Sequence, residues 1–276
     1  GHVPWMQAVS PDTDLPIAVA MAHGTYATAI KLYADLTPDM ARRITAEAHR
    51  QGMLVWAHAT LFPAAPSDVV GAGVNAISHA CLLTREGPTP APTWANAHSR
   101  ADLRPFQSGH NPALARLFTE MVRRGTVLDA TIWVYGPPPP GSNATAPTSC
   151  DERTGGIITE QAYRACVAIS AGTDNVSPYT DAWPELFHEL DAMHTLAHMP
   201  VAAILRSATL VGARATGQER DIGSIAPGKL ANMIVLERNP LESLANLQSL
   251  RMTIKRGHVF MRRDFVPLVA ADITDF

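Results

Sequence analysis

The sequence alternates short apolar runs with helix-like stretches, and the runs at 29–33, 53–59, 73–79, 126–134 and 168–174 carry very few charges. A strand that is apolar throughout, instead of alternating with polar residues, suits a parallel sheet buried on both faces under helices. The intervening segments carry helix signals. Thr37 can cap a helix, Pro38 suits its first position, Met40, Ile44 and Ala48 share one helical face, and Gln51-Gly52 ends it. Ser67 to Gly71 reads as a short helix, and 112–124, 157–167, 183–198 and 200–216 as further helices. Arg85 to Asn111 and Pro137 to Thr154, the second with four consecutive prolines, read as long loops. Units of 20 to 30 residues in this order are the rhythm of an α/β fold.

After Gly217 the character changes. The segment from Gly223 to Lys229 is turn-rich, and 232–236, 252–254 and 258–261 read as short strands, the last two joined tightly through Lys255-Arg256-Gly257. An α/β body over 1–217 and a small β segment over 218–276 are expected. With 276 residues, 46% of them hydrophobic, the chain can bury a sizeable core. Its 22 basic and 25 acidic side chains give a net charge of −3, so there is no basic field for a nucleic-acid partner. No apolar run is long enough to span a membrane. Cys81, Cys150 and Cys166 neither require nor forbid a disulfide. Asn143-Ala144-Thr145 matches a glycosylation acceptor, a tripeptide frequent by chance. The chain opens on Gly1 with no signal-peptide pattern after it, which leaves the compartment undetermined.

Chemistry gathers at the strand ends. Lys31, His58, His79 and Asp174 each lie at or near the C-terminal end of an apolar run, with separations of 27, 21 and 95 residues. In a (β/α) barrel such ends converge on one mouth. Each residue also has a plain structural role open to it: a snorkelling lysine, two satisfied core histidines, an aspartate in a turn. Lys31 however stands between Ile30 and Leu32, and burial would leave a neutral amine able to form a carbamate. Neutral imidazoles suit zinc and similar cations, and an aspartate can both bind a metal and take a proton. Tyr33, two residues beyond Lys31, shares its strand face and could reach a substrate. His188 lies beyond Asp174 on a helix, with a packing role as natural as a functional one.

These segments resemble the amidohydrolase superfamily, in the branch of metal-dependent Xaa-Pro dipeptidases and imidazolonepropionase. The likeness is carried by Ile30-Lys31-Leu32-Tyr33, Val55 to Ala59, Gly73 to His79 and Ala171-Gly172-Thr173-Asp174, and continues through Ile222 to Ala231. It implies a TIM-like (β/α)8 barrel with a small β-sandwich. It also implies two divalent metals, zinc by preference, with Lys31 as a bridging carbamate, His58 and His79 on the second metal, and Asp174 on the first. Asp174 would also be the general base toward the bridging hydroxide and would protonate the leaving amine. The implied reaction is hydrolysis of an amide or peptide bond in a small substrate such as a dipeptide with a C-terminal proline.

One departure shapes the expectation. Family members open the barrel with His-x-His on the first strand, and no His-x-His occurs here; His194 and His198 are an i, i+4 pair on a helix. Lys31 would belong to the fourth strand. The chain is therefore expected to be the C-terminal two-thirds of a longer enzyme, carrying strands four to eight and the C-terminal part of the sandwich. Alone it should be poorly active and prone to associate, a homo-oligomer included. A one-metal deaminase or cyclic-amide hydrolase, and a non-catalytic scaffold, are the alternatives.

Overall fold

The apolar runs pair side by side. β1 (Ala29–Leu32), β2 (Leu54–His58), β3 (Ala76–Ser78), β4 (Val127–Asp129) and β5 (Ile169–Ser170) form one parallel sheet in that spatial order. The computed structural model describes residues 6–87, 93–94, 101–137, 149–175 and 181–269. Asn143-Ala144-Thr145 and residues 88–92, 95–100 and 138–148 of the two long loops lie outside the described residues.

The helices between the strands follow their local signals. α1 (Leu15–Gly24) starts at the Asp14 cap, and α2 (Pro38–Arg50) starts where Thr37 Oγ1 accepts the Met40 amide at 3.2 Å. Met40, Ala41, Ile44 and Ala48 are the buried face of α2. α3 (Pro66–Gly71) follows β2, and α4 (Pro112–Arg124) runs from an Asn111 cap to Gly125, which takes the left-handed backbone at φ 73° that ends a helix. α5 (Glu152–Arg164) begins five residues before the expected Ile157, because Asp151 caps it by accepting the Thr154 amide at 2.7 Å. α6 (Leu186–Thr195), α7 (Val201–Arg206) and α8 (Gly212–Ala215) complete the set, with a π-helical turn over Ser207–Val211 joining the last two.

Register decides which face of the sheet each residue occupies. Leu32, Ala57, Ile77, Leu128 and Ile169 are neighbours across the strands and belong to the main core with the helices. Trp56, Ala76 and Val127 occupy the other face, where Val211 and Ala215 pack on them and Trp56 Nε1 donates to the Ala215 carbonyl at 3.0 Å. One residue pair higher on that second face stand His58, Ser78, Asp129 and Ser170. The helical segment at 207–215 thus floors the space beneath the strand ends.

Three strands are shorter than their apolar runs by four residues or more. β4 stops at Asp129 because Thr131 turns to φ 48° and the next two amides bond Glu189 instead of a strand. β5 stops at Ser170, where the chain bends over the Asp129 carboxyl. β3 starts at Ala76; before it the Asn75 side chain accepts the Val55 amide at 2.8 Å.

A second, antiparallel sheet holds β6 (Met233–Leu236), β7 (Leu250–Lys255) and β8 (His258–Met261). Its hairpin turn is Arg256-Gly257, both with positive φ, the geometry that matches strand twist in a two-residue loop. Cys81 and Cys150 form a disulfide, and Cys166 is free and exposed. No helix among the described residues is long and apolar enough to cross a membrane.

Candidate active site

Lys31, His58, His79 and Asp174 arrive from four strand ends and meet on the face floored by 207–215. Lys31 is exposed by area, being on an edge strand, which departs from the buried position its apolar neighbours predict. Its amine nonetheless reaches inward and donates to the buried Ser78 hydroxyl at 3.0 Å. Burial of that end pulls the amine pKa below the usual lysine value, against the pull of the Asp174 and Asp129 charges.

The two imidazoles lie with ring centres 4.7 Å apart. His58 is buried, and burial, aided by the Lys31 charge, lowers its pKa to about 3. Its Nδ1 is buried without a hydrogen-bond partner. His79 follows β3 in a left-handed conformation at φ 76°, and burial holds its pKa well below the ordinary imidazole value, with the charges of His58 and Lys31 adding to the effect. Thr131 Oγ1 meets His79 Nδ1 at 2.9 Å, which leaves Nε2 facing Asp174 Oδ2 at 3.8 Å. Asp174 is half-exposed at φ 53°, and partial burial raises its carboxyl pKa while Lys31 opposes that rise.

Aromatic rings surround the imidazoles. Tyr33 stands with its ring 4.3 Å from His58 and 5.2 Å from Trp94. His188 stacks on Trp133 with centres 4.5 Å apart, a packing role on the loop after β4.

Three residues at this mouth escape a reading of the sequence. Asp129 ends β4 with its carboxyl buried, and it does carry a signal: an acid closing an apolar run, as Asp174 does. Glu189 is fully buried and accepts the Ile132 and Trp133 amides at 3.0 and 2.8 Å, yet in sequence it is one more acid on a helix. Thr131 has no local signal, since its role depends on the turn that brings it to His79.

The donor set fits a divalent cation in kind. Two imidazoles kept neutral have free lone pairs at neutral pH, and an orphaned buried nitrogen is costly unless something binds it. Among the described residues no three His, Cys, Asp or Glu side chains already stand close enough to hold an ion without Lys31.

Residues 18–260 match the amidohydrolase family. Solved structures of similar fold include a Xaa-Pro dipeptidase with methionine bound in its active site, at 20% identity and TM-score 0.62, covering 90% of this chain and 58% of that one. A prolidase complexed with N-methylphosphonate-L-proline is 19% identical with TM-score 0.64, covering 94% of this chain and 65% of that one. An adenosine deaminase from Xanthomonas campestris with bound zinc is 17% identical with TM-score 0.57, covering 93% and 58%. These likenesses establish the fold alone, and this chain spans 58–65% of the length of those proteins. A comparison with curated protein sequences finds no match.

Proposed function

Since the chain belongs to the amidohydrolase family, we propose that it carries the greater part of the active site of a metal-dependent hydrolase that cleaves an amide or peptide bond in a small substrate. A dipeptide with a C-terminal proline is the first candidate. The observation that carries this reading is the convergence of Lys31, His58, His79 and Asp174 from four strands, with His58 Nδ1 buried and unpartnered. Lys31, as a carbamate, and His58, His79 and Asp174 would hold divalent ions, zinc by preference and two per complete subunit. Such ions, when bound, acidify water and polarise the scissile carbonyl.

The chain's own residues do the rest. Burial keeps both imidazoles unprotonated, and the Thr131 hydroxyl fixes the orientation of the His79 ring through Nδ1. The lowered pKa of the Lys31 amine favours the free base, which adds to carbon dioxide with loss of one proton to give the carbamate. Asp174 is open to the mouth and close to His79, so its carboxylate can take a proton from water and return it to the leaving amine. Tyr33 and Trp94 offer an aromatic wall to the substrate.

A one-metal deaminase or cyclic-amide hydrolase draws support from the zinc-bound deaminase of similar fold and from the Lys31 amine already bonded to Ser78. Both readings are tested on the complete gene product loaded with zinc. Bound zinc is measured by elemental analysis, and a panel of dipeptides, cyclic amides and aminopurines is assayed. The proposal expects two zinc ions per chain and turnover of Xaa-Pro dipeptides, with His79→Asn losing at least one ion and most turnover. One ion per chain with amine release from an aminopurine favours the alternative. Zinc content unchanged by His58→Ala and His79→Asn overturns the site itself.

A further inference from the structure

One buried carboxylate at the mouth has no part in the proposed chemistry. The Asp129 side chain accepts the Ser170 hydroxyl at 2.8 Å, and the backbone amide of Gly172 points to the same group. A Cβ at Gly172 would lie 2.5 Å from both Asp129 oxygens, closer than real contacts allow, so the chain crosses directly over this carboxylate and only glycine permits the crossing. Asp174, in its left-handed conformation, is two residues further on. On the other side, the Asp129 carbonyl accepts the His79 amide at 3.0 Å, and the next carbonyl, of Ala130, accepts the Ala80 amide at 3.0 Å. One residue therefore ties the backbone of His79 to the turn that bears Asp174.

From this geometry we infer that Asp129 is a positioning residue: its carboxylate holds the Ser170 hydroxyl and the Gly172 amide so that Asp174 is presented beside His79. The inference rests on the proposed role of Asp174 and adds the group that aims it. Burying a carboxylate is costly, and burial raises the Asp129 pKa against the opposing effects of the Ser170 hydroxyl, the Lys31 charge and the Gly172 amide. A side chain with only a structural role could be apolar here. A hydrogen-bonding acid is needed where a bare backbone turn must be held, because an aliphatic group offers the Gly172 amide nothing.

The test separates aim from chemistry. Amide hydrogen exchange over 169–175 is followed in the zinc-free protein for the parent, Asp129→Ala, Asp129→Asn, Ser170→Ala and Asp174→Asn. Kinetics are then measured with zinc on whichever substrate the parent turns over. Asp129→Ala should speed exchange at Gly172 and its neighbours by tenfold or more and lower kcat about 100-fold, with KM changed little. Asp129→Asn, which can still accept both hydrogen bonds, should restore most of the protection and of kcat. Ser170→Ala should fall between them, and it guards against an Asp129→Ala protein that fails to fold. Exchange at 169–175 unchanged in both Asp129→Ala and Ser170→Ala overturns the clamp, whatever the activity. Asp174→Asn should keep the protection while losing activity; full activity in that variant would instead sink the role of Asp174 and leave the clamp standing.

Discussion

Glu189 shows what one side chain can contribute at a distance from the chemistry. Its carboxyl is fully buried and holds the Ile132 and Trp133 amides, which sets the turn that delivers Thr131 to His79. Burial, chiefly, pushes its pKa up to about 7. A folded-state pKa above the unfolded value means that the folded protein binds the proton more tightly. The stabilisation is then complete below about pH 4.5 and is lost as pH rises toward 7. A shift of this size corresponds to about 3 kcal/mol between the two ends of the window. Urea unfolding at pH 4.5 and pH 7.5 should therefore show a larger loss of stability with pH in the parent than in Glu189→Gln. Equal losses would mean that this carboxyl does not titrate across the window. Nothing around Glu189 in the sequence marks it as buried, whereas Lys31, His58, His79 and Asp174 stand out because each lies at or near the end of an apolar run. The difference is physical: strand position is a local pattern, but the amides Glu189 receives come from residues more than fifty positions away.

Among the elements, α5 exposes the limit of propensity. It contains Gly155 and Gly156, residues that argue against a helix interior by about 1 kcal/mol each. Its start at Glu152 falls within the segment 137–154 that reads as a loop in the sequence. A Cβ on Gly156 would meet Leu196, at the end of α6, at 2.5 Å, so the glycine lets two helices approach closely. Gly156→Ala should therefore destabilise the protein by about 1–3 kcal/mol despite the better helix former, as overpacking does. A rise in thermal midpoint on that substitution would show that the α5–α6 approach is loose. By contrast α2 is legible end to end, since the Thr37 cap, Pro38 and the Met40-Ile44-Ala48 stripe are all local. The shortened β4 and β5 are not: an apolar run says that a segment is buried, and other side chains decide where its amides leave the ladder.

For the molecule as a whole, the Cys81–Cys150 disulfide is the one covalent tie between distant parts of the chain. It joins the segment just after His79 to the cap of α5, across 69 residues. Closing a loop of that length restricts the unfolded chain by roughly 4 kcal/mol in the chain-entropy account. Reduction by dithiothreitol, or the Cys81→Ser/Cys150→Ser pair, should lower stability toward that amount. A thermal midpoint unmoved by reduction would show that the bridge does not form in solution. Three cysteines in the sequence left this pairing open, because spacing carries no information on which sulfurs meet. The two sheets, and the floor that 207–215 makes beneath the mouth, likewise belong to tertiary packing.

What the sequence determined by itself is the α/β order, the helix caps and the strand-end positions of Lys31, His58, His79 and Asp174. These depend on runs of neighbouring residues, and hydrophobic burial acts on such runs directly. Only the tertiary structure decided that Asp129 lies under Gly172, that Glu189 holds the turn after β4, and that Lys31 bonds Ser78 from an edge strand. Each is a contact between residues far apart in the chain, satisfied by hydrogen bonds whose partners become neighbours only when the strands align.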